Sequence, residues 1–339
     1  DIAVQLYVLR LTSVLLGVAV IALAYLIARE VFPGNNIVIR TVPSFLLFMP
    51  MYSFIANSYT NEVMSDFSAA LWLYAMVVIL KRGFSVSRGL TLVAALVMAY
   101  LSKRSGLFLI PLSAVCVPSL VSRWKGRRHA LVVSLAGVGG MVLVVLAIAA
   151  LPVGGLRYAL LDRYFWGSFG GFLSTFSQHD YLSSTYLGLL MLYFQTLFTS
   201  FWGVFGWMNV WLDDAWYWAI GALCLAATAG MVLLLLPVSE KQYRLTASQR
   251  SALLLSIAAI AFAIAPAIAQ YSSEFNPHAL PQGRYLFPAA IPVSLLIVVG
   301  LYRITPAALT RMLPLLLISL MFLFDSVSLA LYIIPFYYT

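Results

Sequence analysis

Long apolar runs separated by short polar turns recur along the whole chain, at lengths that suit a bilayer rather than a soluble core. Crossing the hydrocarbon takes roughly 20 apolar residues as an α-helix, and helices are expected because each satisfies its own backbone. The pattern predicts about ten spans: Leu6–Ala28, Val42–Ile55, Phe67–Leu80, Gly89–Leu101, Leu107–Val121, Ala130–Leu151, Ala215–Leu236, Ser251–Ala269, Tyr285–Leu301 and Met312–Tyr332. Two are short, at about 14 residues, and need a thinned bilayer or shelter among neighbours. Pro43 and Pro50 fall inside the second, which is expected to kink.

Between Pro152 and Asp214 the pattern changes. Gly154, Gly155, Gly167, Gly170 and Gly171 are followed by the polar stretch Ser174–Thr185, which rules out a simple span. The stretch Tyr186–Trp202 is apolar, but a crossing there would put Lys241, Arg244 and Arg250 on the outer side. It is read instead as a helix lying in the outer interface or re-entering from it. Tyr164, Phe165, Trp166, Trp202, Trp207, Trp211, Trp216, Tyr217 and Trp218 flank it, and Trp and Tyr favour that depth. The expected architecture is all-α, a polytopic transmembrane helical bundle with an outer-face interfacial cap. Residues 1–151 and 215–339 carry the two sets of membrane helices, and 152–214 the outer loop.

Composition sharpens this picture. The 339 residues are 63% hydrophobic and 9% charged, against about 25% charged in soluble domains. The net charge of +9 has a topological cause rather than a nucleic-acid partner. Alternate threading gathers Arg29, Arg40, Lys81, Arg82, Arg88, Arg123, Lys125, Arg127, Arg128, Lys241, Arg244, Arg250, Arg303 and Arg311 on one side. The positive-inside rule makes that side cytoplasmic. Arg10, Lys103, Arg104, Arg157, Arg163 and Arg284 then lie outside. Cys116 and Cys224 sit in predicted spans as small packing residues, with no disulfide or zinc spacing. The chain opens on Asp1 and enters a span without a signal-peptide pattern. A preceding segment with one more span is therefore expected.

Polar residues that carry chemistry collect at the outer ends of spans. Asn61, Glu62 and Asp66 lie in a tight connection, and Glu62 and Asp66 share a face if the next helix starts early. The alternative is a solvated turn with Ser65 or Asp66 as N-cap. Lys103 and Arg104 stand in a hairpin flanked by Ser102, Ser105 and Gly106, suited to holding a phosphate. Snorkelling toward headgroups is the competing reading. Arg10 and Arg284 are likewise outer, and Gln282-Gly-Arg-Tyr285 offers an amide, a cation and a phenol together. His179-Asp180 and His278 with Glu274 are weaker cation-binding candidates, Asp213-Asp214 reads as a helix cap, and Asp325 is an acid inside the last span. Walker A, GxGxxG, HExxH and GxSxG patterns are absent, so nucleotide hydrolysis and common hydrolase schemes lack support.

With these residues in view, the chain resembles the GT-C superfamily of polytopic glycosyltransferases, in its mannosyltransferase and aminoarabinose-transferase group. It is most similar to an allied family of bacterial membrane proteins of unknown function. The likeness rests on Tyr7–Gly17, Ser58–Val63, Ala99–Leu107, and the pair Phe201-Trp-Gly-Val-Phe-Gly-Trp207 and Gln282-Gly-Arg-Tyr-Leu-Phe-Pro288. It implies a polyprenyl-phosphate-linked sugar as donor, an acceptor glycan, lipid or protein, and chemistry at the outer face of the plasma membrane. It also implies Glu62 as a supporting carboxylate or metal ligand, and Lys103, Arg104 and Arg284 as phosphate ligands, with Gln282, Tyr285, Arg10 and Asn61 around them. The principal general base belongs to a first outer loop expected upstream of Asp1, and a divalent metal ion is left open. A non-catalytic carrier for lipid-linked sugars, or an assembly subunit with a vestigial site, is the alternative.

Overall fold

A Pro–Pro spacing near the start of the chain sets its first architectural feature. In the computed structural model, which describes residues 2–126, 128, 132, 184–236, 245–272 and 281–338, helix α1 (Ile2–Val31) is followed by α2 (Asn36–Leu47) and α3 (Pro50–Ala56). The last two meet at a bend of 64°. Pro50 disfavours helical backbone at the residue before it, and Met49 is extended there (φ −75°, ψ 113°). The expected kink is thus a full break, with Pro43 accommodated inside α2.

The chain continues through α4 (Glu62–Arg82), α5 (Val86–Ser102), a 3-10 turn (Arg104–Gly106) and α6 (Leu109–Lys125). Beyond them lie α7 (Ser184–Gly203), a two-residue hairpin pairing Val204 with Trp211 and Phe205 with Val210, α8 (Asp214–Leu235) and α9 (Ala247–Ser272). A 3-10 segment (Gly283–Ala289) leads into α10 (Ala290–Ile304), and α11 (Leu313–Val327) passes through a π-helical turn (Ser328–Ile333) into α12 (Ile334–Tyr338). The protein is a helical membrane-type bundle. Among the described residues six helices are long and apolar enough to cross a membrane, or seven if the bent pair counts as one. The predicted span Ala130–Leu151, the glycine-rich stretch after it, His179, Asp180, Glu274 and His278 lie outside the described residues.

Burial separates inner from outer helices. The spanning windows of α4 and of Gly283–Ile304 are 78% and 72% buried, against 22–39% for the other candidate spans. The outer helices present Val8, Leu11, Leu15, Leu225, Leu316 and Leu323 to the surroundings. An apolar surface of that extent needs an apolar partner, and the bilayer supplies it. In the core, Trp72 donates from Nε1 to Ser113 Oγ at 2.8 Å and ties α4 to α6.

Charge is sorted along the bundle axis. At the C-terminal end of α4, Glu30 takes Lys81 at 3.1 Å and also Arg82, while Arg250 donates to the Leu235 carbonyl. The N-terminal end of α4 carries Glu62. Its 21 residues separate the two ends by about 30 Å at 1.5 Å per residue, which is the thickness of a hydrocarbon core.

Candidate functional site

Helix α4 begins at Glu62, so the early start holds and the N-cap reading of Ser65 and Asp66 is corrected. The cap position belongs to Asn61, which makes no capping bond of its own. Thr60 Oγ1 accepts the Glu62 N–H at 3.2 Å, and Asn61 Nδ2 donates to the Ser102 carbonyl at 2.9 Å. The second contact ties the start of α4 to the end of α5. A carboxylate in the first turn also suits the positive end of the helix dipole.

Lys103 is the residue at which α5 ends. Its backbone turns extended, and its carbonyl accepts the Gly106 N–H at 3.0 Å to close the 3-10 turn that Arg104 opens. This geometry turns the lysine toward Glu62, and its ammonium ion-pairs with Glu62 Oε1. The same ammonium lies 4.7 Å from the centroid of the Tyr285 ring.

Arg284 arrives from the far end of the sequence. Gly283 lies so close to α7 that a Cβ there would overlap the Phe201 backbone, and its N–H donates to Ser200 Oγ at 2.7 Å. Edge contacts of Phe287 with Tyr52 (5.6 Å) and a tilted contact with Phe201 (5.4 Å) anchor the same segment in the core. Arg284 Nε then comes to 3.3 Å from Glu62 Oε1. One carboxylate oxygen, in a side chain 4% exposed, faces both cations, which are 23% and 19% exposed.

The other acidic oxygens are held differently. Among the described residues, Glu62 Oε2 and both Asp66 oxygens are buried with no hydrogen-bond partner, as is the Tyr52 hydroxyl. Asp66 is 2% exposed and lies within electrostatic range of Glu62, Lys103 and Tyr52. Buried polar atoms are normally paired, so these acceptors are open to a hydroxyl or cation that the described residues do not provide. Among the described residues no group of three or more His, Cys, Asp and Glu gathers. A divalent ion held by Glu62 and Asp66 would take its remaining oxygens from water or substrate.

Of the residues expected from the sequence, Glu62, Lys103, Arg284 and Tyr285 converge, and Asn61 braces them. Gln282 precedes the 3-10 segment, and its carbonyl accepts the Tyr285 N–H at 3.0 Å. Arg10 is exposed in α1 and takes part in none of the ion pairs found among the described residues. Asp213 stands at the cap of α8 without a capping bond and accepts from the Tyr332 hydroxyl at 2.7 Å. Asp325, the acid inside the last span, accepts from Ser53 Oγ of α3 at 2.8 Å. Tyr52 and Ser200 are not foreseen from the sequence, because neither carries a local pattern. Asp66 had one signal, its spacing of four from Glu62.

Compared with known families, residues 1–293 match the model described as "Predicted membrane protein (DUF2142)". No curated protein and no solved structure matches the chain.

Proposed function

The chain belongs to the DUF2142 family of predicted membrane proteins, and from that premise we propose that it is a glycosyltransferase. It takes a sugar from a polyprenyl-phosphate donor at the outer face of the plasma membrane and passes it to an acceptor in envelope glycan, lipid or protein glycosylation. The observation that carries this reading is the buried Glu62 oxygen facing Lys103 and Arg284 at the end of α4 opposite the Lys81–Arg82 end. Two cations held ready beside one carboxylate suit a phosphate, with Arg as a fork and Lys as a point charge.

Transfer breaks the bond between the anomeric carbon and the phosphate oxygen while the acceptor oxygen attacks that carbon. Negative charge grows on the phosphate as it leaves, and preorganised cations are usually a large contribution to such catalysis. Lys103 and Arg284 fill that role, with Glu62 as the supporting carboxylate that orients them. Glu62 Oε2 and Asp66 present the buried oxygens able to accept a proton or a cation.

A lipid-linked donor has support from the neighbouring packing. A mainly apolar cavity of about 270 Å³ lies between α7, α8, α9 and the 3-10 segment, lined by Phe194, Phe198, Trp202, Leu286 and Val293 among others. Leu286, which lines the cavity, and Arg284, which faces Glu62, belong to the same 3-10 segment. The competing reading, a carrier for lipid-linked sugars, draws on the 64° break between α2 and α3, since broken helices recur in transporters.

Mass spectrometry of lipids co-purifying with the protein tests the reading. A polyprenyl phosphate or its glycoside is expected, depleted in a folded Arg284→Ala variant. Bulk phospholipid alone, equal in both proteins, would sink the phosphate site. Glu62→Gln separates transferase from carrier: it is expected to abolish sugar transfer, whereas a carrier would keep transport.

A further inference from the structure

The aromatic stretch Phe201–Trp207 ends on a residue with an unusual position. Trp207 is 85% exposed, at the tip of the hairpin in which Val204 pairs with Trp211 and Phe205 with Val210. Gly206 (φ 65°) and Met208 (φ 66°), the residues on either side, both adopt left-handed backbone. A non-glycine residue there is uncommon and signals a shape imposed by its surroundings. The Asn209 Oδ1 accepts the Trp207 N–H at 3.1 Å, and the Trp211 Nε1 donates to the Met208 carbonyl at 3.0 Å. A tight, internally bonded turn therefore presents one large aromatic face outward.

Exposed tryptophans on a membrane protein are commonly interface anchors, and Trp218, 79% exposed, suits that role. Trp207 differs because it belongs to the cationic site. The central guanidinium carbon of Arg284 lies 5.9 Å from its ring centroid and 5.8 Å from that of Tyr285. A phosphate taking hydrogen bonds from that guanidinium would sit about 4 Å from the same carbon. A sugar esterified to the phosphate begins two bonds further on, within reach of the indole.

We propose that Trp207 is the stacking platform for the glycosyl ring of the donor, so that Arg284 reads the phosphate and Trp207 the sugar. The inference rests on the phosphate-site reading above. The axial C–H bonds of a pyranose carry partial positive charge and meet the negative face of the indole. Stacking positions the ring without touching the reacting bond, which makes Trp207 a residue of specificity rather than catalysis.

The test measures binding of farnesyl phosphate and of its glucosyl, mannosyl, galactosyl and aminoarabinosyl derivatives to the full chain in nanodiscs. At least one glycoside is expected to bind the unaltered protein about tenfold more tightly than farnesyl phosphate, a difference of about 1.4 kcal/mol. Trp207→Ala is expected to remove that advantage while leaving farnesyl phosphate within about twofold, and Trp207→Phe to keep most of it. Trp218→Ala is expected to behave as the unaltered protein. The proposal is overturned if no glycoside outbinds farnesyl phosphate, if Trp207→Ala weakens both ligands equally, or if it weakens neither. Failure of the phosphate site looks different: farnesyl phosphate itself does not bind, or Arg284→Ala leaves its affinity unchanged.

Discussion

Glu62 receives its two cations from segments far apart in the chain, at the end of α5 and at the start of the 3-10 segment before α10. Taking charges out of water is costly, and removing one partner of a buried pair is worse than never making it. Here the carboxylate has two partners, so losing one leaves it partly compensated. The pair Glu62–Arg284 is expected to show a coupling of about 1–3 kcal/mol in a double-mutant cycle of Glu62→Gln and Arg284→Ala. Unfolding by SDS in mixed micelles measures it, and additivity within about 0.5 kcal/mol would mean the pair contributes nothing. Ser53 makes a second residue-scale case, because its hydroxyl donates to Asp325 inside the last span. Ser53→Ala is expected to cost about 1–3 kcal/mol by leaving a half-buried carboxylate oxygen unpaired. An unfolding free energy unchanged by the substitution would assign that contact no role.

At the scale of elements, α8 and α10 cross at their glycines. A Cβ on Gly230 would fall within the Gly300 backbone, and one on Gly300 within the Ala227 backbone. Helices in lipid gain no hydrophobic drive from meeting each other, so such close approach supplies the packing that holds them. Gly300→Ala is expected to destabilise the fold by about 1–3 kcal/mol, the usual cost of overpacking. Gly188→Ala on α7, where a Cβ meets nothing within 4 Å, is the control and should not. Thermal scans of both variants in detergent decide it, and equal midpoints would refute the tight crossing. The start of α4 was left open by the sequence between an early start and a Ser65 or Asp66 cap, and the structure places it at Glu62. The break at Met49 was legible as a kink at Pro50, but not its angle, which depends on what α2 and α3 pack against.

For the whole molecule, the sorting of charge predicts how the protein sits. The Lys81–Arg82 end of α4 is expected in the cytoplasm and the Glu62 end outside. Tyr59 is 62% exposed near the Glu62 end, and Val86 is 76% exposed near the other. In a background with Cys116 and Cys224 replaced by alanine, Tyr59→Cys should react with a membrane-impermeant maleimide in intact cells. Val86→Cys should react only after permeabilisation. The reverse pattern would invert the topology and place the site on the cytoplasmic side.

The helical membrane character and the positions of most helices follow from the amino-acid pattern alone. These are local properties: helix periodicity arises within a few residues, and an apolar run is apolar whatever surrounds it. Long-range packing is what brings Glu62 to Lys103 and Arg284, buries Asp66 instead of leaving it to cap a helix, and sets Trp207 beside Arg284. Lipid tails are as apolar as leucine, so the hydrophobic pattern that drives a helix into the membrane does not choose its neighbours. That choice falls to shape and polar pairing, through contacts such as Gly283 against Phe201, Gly230 against Gly300 and Trp72 with Ser113. None of these partners is visible from the residues on either side of it.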